Sequence, residues 1–507
     1  MHFDLFLHGL IGVFTWPRLL GMCAGVTFGM AMSTIPGLSA ALAISLALPI
    51  VFTMDPATGL MILGAIWGGA IYGASKAAIL INTPGNPSAI TTTFDGYPMT
   101  LKGEASEALF GALIGSTSGG LISAAILLLL FAPLSSIALQ FGPAQFFWLA
   151  VLGLTTISAM SSGGVWRGLL GAGIGVMLSV IGLDVISGTP RFTFGIFQLQ
   201  QGMNTVAGIL GFFSFAQMLR LLGNRKDYIA DYRERPGYLL VVLRQYVARI
   251  VVVVRSALIG TTIGMLPGAG SPIAALVAYG ESKRWSKYPE KYGTGIIDGV
   301  FTSEAAANAT VGGSLIPLMA LGIPGDADAA VVAGGLLAFG LQPGPNMIHN
   351  SGTVAYTFIA SLFVANLLML VIGFFMMRIT GRILLIPKRF ITPSVIALAV
   401  LGTYSLSGSM FDVGVMLTCG LLAFVLRCID VAPATLALGL ILGPIADQGF
   451  SQTLLQAEAS GSVLGAFFGS PLSLLLIALM IFAAGSTYFL NRIRRNPHLA
   501  GVASGEL

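Results

Sequence analysis

Long stretches with no charged side chain alternate along this chain with short clusters of Lys and Arg. Ala355 to Met377 is one such stretch, closed by Arg378, and Pro471 to Leu490 is another, closed by Arg492, Arg494 and Arg495. Each is close to the ~20 residues that a helix needs to cross a hydrocarbon core of ~30 Å. Inside a bilayer every backbone N–H and C=O must be satisfied within the protein, which leaves helices or a closed barrel. Barrel strands alternate apolar and polar positions over segments of about ten residues, and these runs do not alternate. The pattern predicts an all-α integral membrane protein.

Several apolar stretches carry helix breakers in their middle. Between Arg255 and Glu281 lie 25 uncharged residues, with Pro267, Gly268, Gly270 and Pro272 near the centre. Proline lacks an N–H and each glycine costs about 1 kcal/mol in a helix, so this segment cannot run straight. Its arms, Ser256 to Leu266 and Ile273 to Gly280, would be near 16 and 12 Å at about 1.5 Å per residue. Basic clusters flank both ends, so the segment is expected to enter and leave on one side as a re-entrant hairpin. In the first half, Leu19 to Met54 is uncharged and breaks at Pro36, Gly37, Leu38 and Ser39. Unwound backbone at that depth is tolerated only inside protein or around a wet cavity. A helix restarting there presents free N–H groups and a positive dipole end to a carboxylate.

These landmarks recur. Ile35-Pro36-Gly37-Leu38-Ser39-Ala40 reappears as Leu266-Pro267-Gly268-Ala269-Gly270-Ser271 at an offset of 231, and Thr83-Pro84-Gly85-Asn86 as Ile323-Pro324-Gly325-Asp326 at an offset of 240. Leu152-Gly153 and Asp184 match Leu401-Gly402 and Asp430 at offsets of 249 and 246. Four landmarks in one order point to a duplicated unit, with the two copies expected to be inverted, as in many secondary transporters. The division predicted is a first membrane repeat over 1–222, a cytoplasmic basic linker over 223–245, a second repeat over 246–490 and a cytoplasmic tail over 491–507.

Composition agrees. The 507 residues are 55% hydrophobic and only 9% charged, against roughly a quarter charged in soluble domains. Twelve of the 25 basic residues lie between Arg220 and Lys291, where short Lys/Arg-rich loops mark the cytoplasmic side. The net charge of +5 is thus a topology signal and gives no reason to expect nucleic acid. The start of the chain lacks the basic and apolar order of a cleaved signal peptide. Cys23, Cys419 and Cys428 fall in apolar segments without metal-ligand spacing and read as packing residues.

Polar groups inside apolar spans are expensive and are functional candidates by default. Glu304 and Asn308 stand four apart, on one helix face. Lys76 lies between Ser75 and Ala77. Around the second break of each half, Asn82, Thr83, Pro84 and Gly85, and Pro324, Gly325 and Asp326, supply oxygens for Na⁺ and N–H groups for an anion. The substrate-binding set expected is Pro36, Gly37, Leu38, Ser39, Asn82, Thr83, Pro84, Gly85, Pro267, Gly268, Ala269, Gly270, Ser271, Pro324, Gly325 and Asp326. Glu304, Asn308, Lys76, Asp184 and Asp430 are expected in ion coupling or gating, with Asp184 a partner for Arg191. Phosphate-binding G-x-x-x-x-G-K-[ST], H-E-x-x-H and G-x-S-x-G runs do not occur, which argues against ATP-driven transport by this chain and against hydrolytic chemistry. An intramembrane enzyme acting on a lipid or isoprenoid is the competing class, but no acid-rich metal motif or nucleophile with its base supports it.

The motifs resemble the large membrane subunit of the tripartite tricarboxylate transporters. They are Pro36 to Ser39, Asn82 to Gly85, Asp95 to Met99, Lys102 to Ala105, Phe141 to Ala144, Gly182 to Asp184, Arg191 to Gly195, Leu266 to Gly270, Leu321 to Gly325 and Gly340 to Pro345. The resemblance implies a multi-pass bacterial inner-membrane transporter of about ten to twelve spans. It also implies a small four-helix membrane subunit and a periplasmic solute-binding protein as partners, and uptake of di- or tricarboxylates driven by Na⁺ or H⁺. No cofactor is expected beyond Na⁺ as a coupling ion. Lys76, Asp326 and Asp328 depart from the small residues expected at those places, so the resemblance leaves the particular carboxylate open.

Overall fold

Proline and glycine breaks, more than apolar content, set the helix lengths, because each removes a backbone donor or a preferred helical conformation. The computed structural model describes residues 3–159, 164–184, 186–222, 234–384 and 388–481. The first half runs through α1 (Phe3–Val13), α2 (Trp16–Thr34), α3 (Ala40–Val51), α4 (Pro56–Ile81) and α5 (Thr93–Leu101). Then come α6 (Ala105–Ala138), α7 (Pro143–Ala159), α8 (Val165–Ser179), α9 (Thr205–Leu210) and α10 (Ala216–Leu222). The second half opens with α11 (Tyr238–Ala248), α12 (Ile250–Gly264), α13 (Gly270–Arg284), α14 (Ile297–Leu321) and α15 (Ala327–Ala338). It continues with α16 (Met347–Met377), α17 (Thr380–Leu384), α18 (Lys388–Ser407), α19 (Met410–Arg427), α20 (Pro433–Ser460) and α21 (Val463–Phe468). Among the described residues the only strands are β1 (Gly182–Leu183) and β2 (Pro190–Arg191), antiparallel with Gly182 opposite Arg191.

Among the described residues four helices, α4, α6, α16 and α19, are long and apolar enough to cross a membrane. Two bent pairs bring the number to six: α1 meets α2 at 79°, and α11 meets α12 at 71°. The ten to twelve spans expected from resemblance are not all whole helices. Breaks leave α3 and α15 at 12 residues each, about 18 Å and so half a bilayer.

Duplication is visible in the packing. α2 lies on α4 as α12 lies on α14. Across the halves the partners exchange: α14 packs on α6 and α4 on α16, while α3 meets α15 and α13 meets the 3₁₀ turn Pro87–Ala89. Small residues let these backbones approach closely. A Cβ on Gly29 would lie 2.9 Å from the Ile66 carbonyl carbon, and a Cβ on Gly260 would lie 2.7 Å from Ala306 Cα. These two contacts are themselves related by the offsets of 231 and 240.

The stretch 223–245, read as a linker by its basic residues, includes the start of α11 at Tyr238. The charge run hides an apolar face: Tyr238 and Val242 enter the core, with Leu239 and Tyr246 packed against it. Arg225, Lys226 and Arg233 of the expected linker, the end of the Pro471 to Leu490 run and the tail 491–507 lie outside the described residues.

The chain forms two compact units, each drawing on both halves: Met1–Leu139 with Val206–Phe424, and Gln140–Thr205 with Val425–Leu507. Within the first, Asp55 caps α4 by accepting from Thr58 N at 3.0 Å and pairs with Arg18 at 3.3 Å. Burial opposes charge on Asp55, but the Thr58 hydrogen bonds and the Arg18 guanidinium outweigh it and hold its carboxyl below the usual range. Within the second unit, α20 packs on α7 and α8. There Gly175 and Gly439 meet at a backbone approach, a Cβ on either falling 2.8 Å from the other's Cα.

Candidate functional site

Each half closes its two breaks onto each other by the same hydrogen bond. Gly37 N donates to Gly85 O at 3.0 Å, and Gly268 N donates to Gly325 O at 2.7 Å. Gly37 has φ +95° and Gly268 φ +88°, conformations open to glycine at little cost. The second breaks leave their helices in the same way. Asn82 and Gly322 are left-handed C-caps at φ 52° and 79°. Thr83 N then donates to Ala77 O at 3.4 Å, and Ile323 N to Pro317 O at 3.2 Å. Gly85 is wedged against the Ser33 carbonyl oxygen and Gly325 against that of Gly264; a Cβ would also fall 2.7 Å from Ala74 Cα and 2.8 Å from Ser314 Cα, respectively. Only glycine fits either place.

After three of the four breaks a side-chain cap starts the next helical turn. Ser39 Oγ accepts from Leu42 N at 3.2 Å, which caps α3 and leaves its own O–H free to donate elsewhere. Asp326 Oδ1 accepts from Ala329 N at 2.8 Å to cap α15, while Asn86 at the equivalent place accepts from Ser88 N at 2.9 Å. Gln217 on α10 donates its amide to Gly37 O at 2.5 Å. α13 begins at Gly270, with Ser271 buried in its first turn.

The breaks of the two halves are linked through α15. A Cβ on Gly270 would lie 3.5 Å from Asp326 Cβ, which sets the α13 start beside the second break of its own half. Two residues on, the Asp328 carboxylate neighbours the Ala41 backbone N–H and the Trp67 indole. A carboxylate from the second half therefore lies at the N-terminus of α3 from the first, where dipole and free N–H groups favour one.

Glu304 and Asn308 on α14 form a second, deeper cluster. Glu304 is fully buried. Its Oε1 accepts from Ser75 Oγ and Thr92 Oγ1, each at 2.5 Å, and its Oε2 from Ser116 Oγ at 3.1 Å. Asn308 Nδ2 donates to the same Ser116 at 3.2 Å and to Gly68 O at 3.3 Å, and its Oδ1 is buried without a donor. Burying a carboxylate still costs several kcal/mol after relaxation, and hydrogen bonds to a charged acceptor return about 1.5–3 kcal/mol each. The three hydroxyls can therefore offset the desolvation, but they bring no positive charge.

Lys76 does not bring it either. Its side chain is fully buried, with Nζ 3.9 Å from Met30 Sδ and 5.0 Å from the Tyr72 ring centroid. Among the described residues it makes no ion pair, and a cation–π contact is worth about 2 kcal/mol when desolvated.

Asp184 and Asp430 belong to the second compact unit and to its own ion pairs. Asp184 accepts from Ile186 N and Ser187 N at 2.7 and 2.8 Å and pairs with Arg191, as its sequence position suggests. Arg191 also holds Asp447 at 2.9 Å. Asp430, at φ 61°, pairs with Arg167 at 2.9 Å. Their recurrence at an offset of 246 accordingly marks equivalent charged turns.

Sequence reasoning did not single out Thr92, Ser116 or Trp67 for the site. Hydroxyls are frequent in this chain, and Thr92 and Ser116 reach Glu304 across 212 and 188 residues, so no local pattern announces them. Asp95, in contrast, stands in the Asp95 to Met99 motif. It is buried at the start of α5, and its Oδ1 accepts from the N–H groups of Gly293, Gly295 and Ile296 at 2.8–3.0 Å, while Tyr279 donates to Oδ2 at 2.8 Å. It ties the first repeat to the α13–α14 loop.

The chain is 34% identical over 455 residues to an uncharacterized 52.8 kDa protein in the TAR-I ttuC' 3' region of Agrobacterium vitis, covering 90% of each. It is 32% identical over 220 residues to an uncharacterized protein in the TAR-II ttuC' 3' region of the same organism, covering 43% of this chain and 90% of the relative. No solved structure matches. The sequence model described as the tripartite tricarboxylate transporter TctA family matches residues 19–438. The chain, with its breaks at Pro36–Ser39, Pro84–Gly85, Pro267–Ser271 and Pro324–Gly325 all inside that match, belongs to the tripartite tricarboxylate transporter TctA family.

Proposed function

We propose that this chain is the permease through which di- or tricarboxylates or related organic acids enter a bacterial cell across its inner membrane, driven by a Na⁺ or H⁺ gradient. A periplasmic solute-binding protein delivers the substrate, and a small four-helix membrane subunit accompanies the permease. The observation that carries the reading is the paired closure of the breaks, Gly37 to Gly85 and Gly268 to Gly325, which leaves the starts of α3 and α13 available to an anion. Asp328 lies beside Ala41, so a substrate carboxylate that reaches the start of α3 takes the place of this internal one. The repeats are read as inverted, so that the site opens to either side in turn. Glu304, Asn308 and Lys76 form the coupling region.

Proteoliposomes holding this chain, the small subunit and the binding protein test the reading. Uptake of labelled carboxylate should require an imposed ion gradient and no nucleotide; uptake that survives collapse of the gradients and follows ATP overturns it. In the same assay Gly37→Leu and Gly268→Leu should abolish uptake, because each forces a branched side chain into a positive-φ position at a tip. Ser39→Ala and Ser271→Ala should weaken apparent affinity several-fold, the effect of losing one hydrogen bond of about 1 kcal/mol.

A further inference from the structure

The Glu304 cluster has the composition of a cation site. Side chains from α4, the segment before α5, α6 and α14 converge on one place: Ser75 and Thr92 donate to Glu304 Oε1 and Ser116 to Oε2, while Asn308 Nδ2 donates to Ser116. None of these residues is more than 1% exposed. Each hydroxyl spends its one proton on the carboxylate; Ser116 also accepts from Asn308, and Ser75 and Thr92 keep their lone pairs. Independently of the carboxylate, Asn308 Oδ1 is fully buried with no donor, so it is an acceptor that nothing in the chain satisfies.

We infer that Glu304, Ser75, Thr92, Ser116 and Asn308 form a binding site for one dehydrated alkali cation of sodium's size. The ligands are all oxygen, as hard cations require. There is a single carboxylate, so one positive charge neutralises the site and a divalent ion would leave it charged in an apolar interior. Three hydroxyls donating to both carboxylate oxygens hold Glu304 as an acceptor, which suits a cation better than a proton on the same group. Nor does Lys76 compete, since its ammonium faces Met30 and Tyr72. At the offset of 240, Glu304 and Asn308 correspond to Gly64 and Gly68 in the first half, which have no side-chain ligand to offer, so the first repeat does not duplicate the cluster. This inference rests on the gradient-driven reading above and assigns the coupling ion to a place.

The test is equilibrium binding of ²²Na⁺ to the full chain purified in detergent, with choline as the inert cation and no carboxylate present. Saturable Na⁺ binding is expected, with Glu304→Gln abolishing it and Ser116→Ala weakening it about tenfold, the loss of one hydrogen bond or ligand at a charged group. Ser116→Ala keeps the carboxylate, so it remains informative should Glu304→Gln lower the yield of folded protein. Equal Na⁺ binding in the parent and both variants overturns the assignment. So does a parent that binds no Na⁺ but takes up a proton when carboxylate is added. Because binding is read without gradient or substrate, loss of this site leaves carboxylate transport standing. Conversely, intact Na⁺ binding beside gradient-independent uptake retains the site and refutes coupling.

Discussion

Gly85→Ala and Gly325→Ala should each eliminate carboxylate uptake and sharply reduce the yield of folded protein. At both places the added methyl would overlap a main-chain carbonyl, that of Ser33 or of Gly264, and would press on a second backbone at 2.7 or 2.8 Å. Backbone cannot rotate aside as a side chain can, so α2 would have to part from α4, or α12 from α14. Overpacking of this kind costs about 1–3 kcal/mol where side chains give way and more where main chain must move. The hydrogen bonds from Gly37 and Gly268 that close the breaks would stretch at the same time. Gly280→Ala is the control, because a Cβ there meets nothing, and alanine should leave stability unchanged or raise it by up to about 1 kcal/mol. Fluorescence-detected size exclusion after heating, read beside uptake, separates the two outcomes. A normal melting profile and normal transport for Gly325→Ala would show that the break is looser than described.

Asp95→Ala should produce the second large effect, on stability before transport. The carboxylate satisfies three backbone N–H groups of the α13–α14 loop and the Tyr279 hydroxyl, and it is 1% exposed. Removing it leaves those donors unpaired at about 1 kcal/mol or more each, a total near 3 kcal/mol because Gly293 retains access to water. Asp95→Asn keeps an acceptor at Oδ1 and should recover part of that loss. Larger residues at Gly299 are excluded for the same reason, since a Cβ there would strike Asp95 Oδ2. Equal melting temperatures for Asp95→Ala and the parent would remove the latch from the account.

Part of this architecture was legible in the sequence because proline and glycine have few uses inside apolar spans. Pro36-Gly37 and Pro267-Gly268 announce helix breaks by chemistry alone. The drift from 231 to 240 residues locates an insertion between the first and second breaks of the second half. The structure extends that arithmetic to hydrogen bonds and carbonyl contacts at the same offsets. What the sequence could not reveal is anything set by tertiary approach. The hydroxyls of Thr92 and Ser116 look like any others until α6 and α14 cross. The start of α11 was obscured because basic residues on one face of a helix read as a loop when only charge is counted. Among the described residues, four to six spans meet the length and apolarity of a whole crossing, because breaks divide apolar stretches that are continuous in the sequence.

The account's central claim is that the broken helices of both repeats serve one carboxylate site, and substrate protection of thiols tests it most directly. In a background with Cys23, Cys419 and Cys428 replaced, Ser39→Cys and Ser271→Cys place one thiol at the start of α3 and one at the start of α13. The alkylation rate of each is measured with and without the carboxylate that the complex transports. The account predicts that both thiols are protected, over the same range of carboxylate concentration, and that a thiol at Gly280 is not. Protection of neither, or of the two at unrelated concentrations, would contradict a shared site.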